Sequence, residues 1–461
     1  MPSNVPSNTI RELFRLKRQA SSLARASSPG LFVGLFGRIL PNPPIDVEAQ
    51  QQTPSQCCRI ELRPRSAKKF TAMSQLRATI FNSPINILLL AVPAGIALHM
   101  VASNPISIFA VNFVGIIPLA AMLSYATEEV ALRTGDAIGG LLNASFGNAV
   151  ELIVAVIALT KQEVLIVQTS LIGSILSNLL LVMGMGFFFG GIGRLEQRFN
   201  LVVAQTAASL LTQAVGSLII VTAFHEFHNR NGTDTISLSR GTSVLLLVVY
   251  GCYLYFSLAS HRTVCDGSSI EQDDDSSQGC DNQPPVASSQ APATPMVNLD
   301  ATPGQPQLSI LVALLTLAVS TALVAVCAEF MVDSISALTA SGTPSPTFVG
   351  LILLPIVGNA AEHTTAVTVA CKGKMDLAIG VAVGSSLQIA LLVLPSIVVL
   401  GWMIGVDMPL NVEPFELCVL FVSISLVTQL ISDGKSHWLE GILPMNLYLI
   451  IAMAVWYVAS L

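Results

Sequence analysis

Eleven apolar stretches, each about as long as the roughly 20 residues that cross a bilayer as a helix, occupy most of the chain after residue 83. They are 84–103, 105–124, 137–160, 164–193, 201–224, 241–259, 308–336, 345–370, 375–405, 413–432 and 442–460. With 52% hydrophobic residues, 11% charged residues and a mean hydropathy of +0.69, most of the chain is too apolar for a soluble domain. The fold class expected is therefore all-α and polytopic, with eleven transmembrane helices. The runs 164–193 and 375–405 exceed one span, so a tilt or a break is expected in each.

Within these runs one motif occurs twice. Gly147-Asn148-Ala149-Val150-Glu151 returns 211 residues later as Gly358-Asn359-Ala360-Ala361-Glu362. The same offset carries Gly173-Ser174 onto Gly384-Ser385 and Lys161 onto Lys372, and 13 of the 36 positions in 147–182 are identical under it. A carboxylate in the middle of a span costs about 2.5–3.5 kcal/mol. Keeping two of them in matching positions requires a partner or a task, and a bound cation supplies both. The stretch 260–307, rich in Pro, Ser, Gln and Asp, reads as a flexible linker between five spans (104–259) and five more (308–461), leaving 84–103 as an extra first helix. Five is odd, so two tandem copies must enter the membrane in opposite senses. This is the inverted-repeat plan of secondary transporters, with a substrate site near the midplane.

Residues 1–83 carry 12 Lys or Arg against 4 Asp or Glu, whereas the remainder carries 10 against 24. A basic, mostly disordered leading tail of this kind stays cytosolic by the positive-inside rule, which puts the C-terminus in the lumen. The loops then assigned to the cytosol, near 125–136, 194–200, 260–307, 371–374 and 433–441, hold seven basic residues against three on the lumenal side. Ile10–Leu23 has basic amphipathic spacing but reads first as solvated tail, and a membrane-surface helix or a targeting presequence is less favoured. Asn231-Gly232-Thr233 is a sequon on a lumenal loop, and Asp273-Asp274-Asp275 reads as a solvated run. The eight cysteines show no metal or disulfide spacing.

Asn148 and Glu151 lie three apart and share a helix face, as do Asn359 and Glu362. A glycine precedes each pair and Pro355 precedes the second, so the helix can open there and turn carbonyls toward a cavity. Two facing copies supply two charges and six or more oxygens, the hard-ligand set of Ca²⁺. One span later, Ser174, Ser385 and Gln388 add oxygens, with helix–helix hydrogen bonding as the rival reading. Asn178 extends the first set, but Ile389 stands at its counterpart position. Glu128 and Glu129 fall at a cytosolic mouth, as vestibule or plain loop charge. Glu329 is a further carboxylate near a span, and Pro118 stands at its counterpart under the 211 offset. When the cation leaves, two carboxylates in a low-dielectric site cannot both stay bare, so protons replace it. His363, next to Glu362, is a proton acceptor or gate, or else a neutral packing histidine. No nucleophile–base pair, zinc motif, cofactor motif or nucleic-acid signature is present, so an enzyme is not expected.

Through GGLLNASFGNAVELI (139–153), ATEEVA (126–131), SLIGSILSNLLLVMGM (170–185), AEFMVDSI (328–335) and GNAAEHTTAV (358–367), the chain resembles the cation/proton exchanger family of the calcium/cation antiporter superfamily, and particularly the fungal vacuolar Ca²⁺/H⁺ exchangers. The resemblance implies eleven helices, Glu151 and Glu362 as central ligands, and exchange of cytosolic Ca²⁺, often also Mn²⁺, for H⁺ of the vacuolar lumen. His363 matches the family's histidine after the second motif. The acidic helix often found between the repeats is reduced here to a short Asp run, and the basic tail is poorly matched. A Na⁺- or K⁺-coupled exchanger and a passive cation channel are the rival readings, and a homo-oligomer stays open.

Overall fold

The computed structural model describes residues 71–458 apart from 82, 102–103, 135–141, 143–144, 229–232, 258–306 and 341–343. Residues 1–70 of the basic tail, with Ile10–Leu23, the sequon asparagine and the Asp273–Asp275 run lie outside the described residues, whereas the end of the tail, expected to be mostly disordered, is helical from Ala72 to Ile80. The fold is helical almost throughout. In chain order the helices are α1 (Ala72–Ile80), α2 (Ala91–Met100, entered through a 3₁₀ stretch Pro84–Leu90) and α3 (Pro105–Thr134). Then come α4 (Ala149–Thr160), α5 (Val164–Gly191), α6 (Leu201–His228) and α7 (Thr233–Tyr255). The second half holds α8 (Ile310–Thr339), α9 (Pro346–Gly358), α10 (Ala360–Cys371), α11 (Met375–Ile404), α12 (Pro414–Leu430) and α13 (Trp438–Val458).

Among the described residues seven helices are long and apolar enough to cross a membrane, or eight if α1 and α2 with its 3₁₀ stretch form one bent span. The chain is a multi-pass membrane protein. α4, α9 and α12 are shorter. At about 1.5 Å per residue the 12 residues of α4 or α10 cover about 18 Å, well short of the roughly 30 Å hydrocarbon layer. The expected span 345–370 is divided: α9 stops at Gly358, Asn359 leaves helical geometry (φ −86°, ψ 13°), and α10 begins at Ala360. α4 opens the same way at Asn148 (φ −109°, ψ 32°). α4 and α10 correspond residue for residue at the offset of 211. Both also end alike, with Gln162 (φ 62°) and Gly373 (φ 76°) in left-handed geometry closing the last turn.

Two expectations need correction. The loop placed at 125–136 is helical through Thr134, because nothing in Tyr125–Thr134 breaks a helix before Gly135. α3 therefore matches α8 in length, 30 residues each, and the two make the most extensive helix pair of the fold. Their starts are 205 residues apart rather than 211, since the stretch between α8 and α10 is six residues longer than that between α3 and α4. Ser124, not Pro118, is thus the counterpart of Glu329. The long runs 164–193 and 375–405 do not break: α5 and α11 continue through π-helical turns at Ser177–Val182 and Ile389–Val393.

Close crossings at glycine hold the central helices together. A Cβ on Gly173 of α5 would overlap the Leu351 carbonyl of α9, and one on Gly350 would overlap the Thr169 side chain. At one end of the molecule, β1 (Gln197–Arg198) pairs antiparallel with β2 (Lys435–Ser436). Beside it Arg194 donates to the carbonyls of Ala370 (3.2 Å) and Cys371 (2.9 Å). Lys435 lies 3.0 Å from Glu196, and that hydrogen bond holds the Glu196 carboxyl below the usual carboxylate range. A second set of contacts joins Lys161 to Asp333, Arg240 to Asp407 (3.1 Å), and Gln168 to the carbonyls of Pro409 (2.7 Å) and Asn411 (3.2 Å).

Candidate cation site

The two broken helices deliver the repeated motif to one place. Glu151 stands in the first turn of α4 and Glu362 in the first turn of α10, where the free N–H groups of a helix start favour a negative side chain. The Glu151 side chain lies directly over Gly358: a Cβ there would stand 2.6 Å from Glu151 Oε1. Glu151 is 6% exposed, and the two carboxylates are within electrostatic range of each other. Neither has a basic partner: Oε1 of Glu151 and Oε2 of Glu362 are buried without a hydrogen-bond donor. Glu362 as a residue is half-buried, but two carboxylates with buried oxygens cannot remain ionised and unpaired at the cost that desolvation imposes. Among the described residues the surroundings offer oxygens and no lysine or arginine, so a cation or a proton must supply the positive charge.

The other candidates fall into distinct groups. Ser174, with Glu151, lines a cavity between α4, α5 and α9, which Ser170, Val154, Leu354 and Gly358 also line. Asn359 is fully buried and donates to the Ser174 carbonyl (3.2 Å), leaving its own Oδ1 without a donor. Asn148, Ser385 and Gln388 are bonded to one another instead. Asn148 Nδ2 donates to Gln388 Oε1 (2.6 Å), and Ser385 Oγ donates to Asn148 Oδ1 (2.6 Å). His363 sits one turn after Asn359, its Nδ1 2.5 Å from the Asn359 carbonyl oxygen and its Nε2 buried without a partner. Among the described residues no three His, Cys, Asp or Glu side chains gather into a metal cluster. Amide, hydroxyl and carbonyl oxygens would have to complete any coordination shell.

The remaining acids stand apart from this centre. Glu129 is 3% exposed on α3, where it accepts from the Gln307 and Leu308 amides (2.9 and 3.0 Å) and pairs with Arg133 (3.1 Å). It fastens the entry to α8 rather than lining an open mouth. Glu128 is half-buried beside it, and Glu329 is exposed on α8. One residue that the sequence does not single out joins the lining of the cavity: Ser170 is one helical turn before Ser174 on the same face of α5, a spacing legible in the sequence. Asn178, expected to extend the first set of oxygens, instead donates its amide to Ser385 Oγ (2.9 Å).

Comparison with known proteins bears on the same residues. The family described as "Sodium/calcium exchanger protein" matches residues 104–259 and 312–457. A "Vacuolar calcium ion transporter" of Schizosaccharomyces pombe is 41% identical over 397 residues, covering 85% of this chain and 89% of that one. A "Ca(2+)/H(+) antiporter" of Aphanothece halophytica is 42% identical over 371 residues, covering 80% and 95%. The solved structure of native YfkE superposes with a TM-score of 0.66 at 32% identity, over 81% of this chain and 99% of that one. With broken helices that carry the duplicated motif and both matched segments spanning it, the chain belongs to the sodium/calcium exchanger family, among relatives named as vacuolar calcium transporters and Ca²⁺/H⁺ antiporters.

Proposed function

We propose that the protein is a Ca²⁺/H⁺ antiporter that moves cytosolic Ca²⁺ into a lumen in exchange for H⁺, by alternating access around Glu151 and Glu362. The observation that carries this reading is the placement of Glu151 over Gly358: the acid of the first motif lies on the glycine of the second, with acceptor oxygens of Glu151, Asn359 and Glu362 left unpaired. Asn359 and Ser174 are first in line as further ligands, with Asn148, Ser385 and Gln388 available on rearrangement and Mn²⁺ a second substrate. Protons take the cation's place on the return, and His363, with its buried free nitrogen, is the candidate gate.

The architecture that goes with this function has eleven spans, an extra first helix followed by two inverted five-helix repeats. The tail at 1–83 and the linker at 260–307 are cytosolic and the C-terminus lumenal, in a vacuolar membrane. Its support is the residue-for-residue match of α4 with α10 at one offset.

The test is Ca²⁺ uptake into proteoliposomes driven by a pH jump without Na⁺ or K⁺. Uphill uptake is expected, and Glu151→Gln and Glu362→Gln should each reduce it to background while the protein stays folded. A requirement for Na⁺ or K⁺ would move the reading to the Na⁺/K⁺-coupled class. Flux that only follows the Ca²⁺ gradient would make it a channel.

A further inference from the structure

The two halves of the site treat equivalent amides differently. Asn359, in the second motif, keeps a buried Oδ1 with no donor. Asn148, in the first, has both ends of its amide occupied. The cause lies one span on, in residues that the duplication does not share. Gln388 is long enough to accept from Asn148, whereas its counterpart Ser177 is not, and its hydroxyl is left without a partner. Asn178 donates to Ser385 (2.9 Å), whereas its counterpart Ile389 can donate nothing.

The result is a one-way chain of donors: Asn178 Nδ2 to Ser385 Oγ, Ser385 Oγ to Asn148 Oδ1, and Asn148 Nδ2 to Gln388 Oε1. A hydroxyl has a single proton. Once Ser385 accepts from Asn178, its proton is directed at Asn148, and the Asn148 amide is thereby turned toward Gln388. None of the four residues lines the cavity in which Glu151 and Ser174 lie. Asn148 and Asn178 are 2% and 0% exposed and Ser385 and Gln388 are half-buried, so the two amides are shielded from water.

We propose that Asn178 is a positioning residue that fixes the direction of this chain and so holds the oxygens of Asn148 and Ser385 to each other rather than to the cation. The inference rests on the Ca²⁺/H⁺ exchange reading of the site. Entry of these oxygens into the coordination shell then requires breaking the chain, and re-forming it drives the cation out. Asn178 thus lowers affinity in order to speed release.

Asn178→Leu removes the donor at nearly constant volume. Ca²⁺ binding to purified protein should tighten about three- to tenfold, the worth of one buried hydrogen bond. In pH-driven uptake KM should fall by a similar factor and kcat should fall with it, because release slows. If Asn178 is instead a ligand, or serves packing alone, affinity weakens or stays unchanged, and either result overturns the proposal. Should Asn178→Leu fail to give a monodisperse protein, Asn178→Ala removes the donor without bulk and carries the same expectation. Unaltered protein is assayed in parallel: its failure to take up Ca²⁺ would overturn the exchange reading, whereas normal uptake with no tightening in the variant overturns only the role of Asn178.

Discussion

At the scale of single residues, Gly358 decides where Glu151 can be. The carboxylate occupies the space that any other residue at 358 would fill with its Cβ, 2.6 Å from Oε1. The clashing atom is the far end of a flexible side chain, so the fold can absorb a methyl group by letting Glu151 swing away. Gly358→Ala is therefore expected to leave thermal stability within about 1 kcal/mol of wild type, as for other mutations without a rigid clash. A catalytic group displaced by about 1 Å loses on the order of a hundredfold in rate, and pH-driven uptake should fall on that scale. Normal uptake would mean that Glu151 does not have to stay over Gly358. The residue pairs at this centre were legible in sequence because an acid, an amide and a glycine recur together at one offset. The network of Asn178 was not, since a repeat reveals what two copies share and Asn178 matters where they differ.

At the scale of elements, the site depends on helices that stop and helices that touch. α4 and α10 are too short to cross a bilayer, and each has its acid in the first turn, where the helix start favours it. α5 meets α9 through Gly173 and Gly350, and at Gly173 the atom in the way is the Leu351 carbonyl, which belongs to a backbone that cannot step aside. Gly173→Ala is expected to destabilise the folded protein by about 1–3 kcal/mol, as overpacking does, and to lower the melting temperature in detergent. Gly380→Ala, on the exposed side of α11 with open space at its Cβ, should change it by less than about 0.5 kcal/mol. Equal effects from the two would show that the α5–α9 crossing is not tight. Breaks at Asn148 and Asn359 were foreseeable from the adjoining glycines. The extension of α3 to Thr134 was not, because two adjacent glutamates and an arginine look like a loop until Glu129 is seen buried against the entry to α8.

At the scale of the whole molecule, side-to-side alternation of loops was inferred from charge and from an odd number of spans, and contacts in the fold test its consistency. Residues 194–200 touch 370–376 and 435–436, segments that alternation assigns to one face. Lys161 touches Asp333, and Arg240 touches Asp407, all assigned to the opposite face. A wrong span count between any two of these loops would have placed paired segments on opposite sides of the bilayer, so the pairings constrain parity even where parts of the chain are not described. In the proposed topology an odd number of spans per repeat also inverts the second repeat, so that Glu362 would approach Glu151 from the other direction. Single cysteines in a cysteine-free background make this measurable in sealed membrane vesicles oriented with the cytosolic face outward. Leu195→Cys, at a position 97% exposed, should react with an impermeant maleimide from outside. Asp407→Cys should react only after the membrane is opened. Labelling of both from the same side would remove the inversion, and without it two copies of one motif could not face each other across a shared ion.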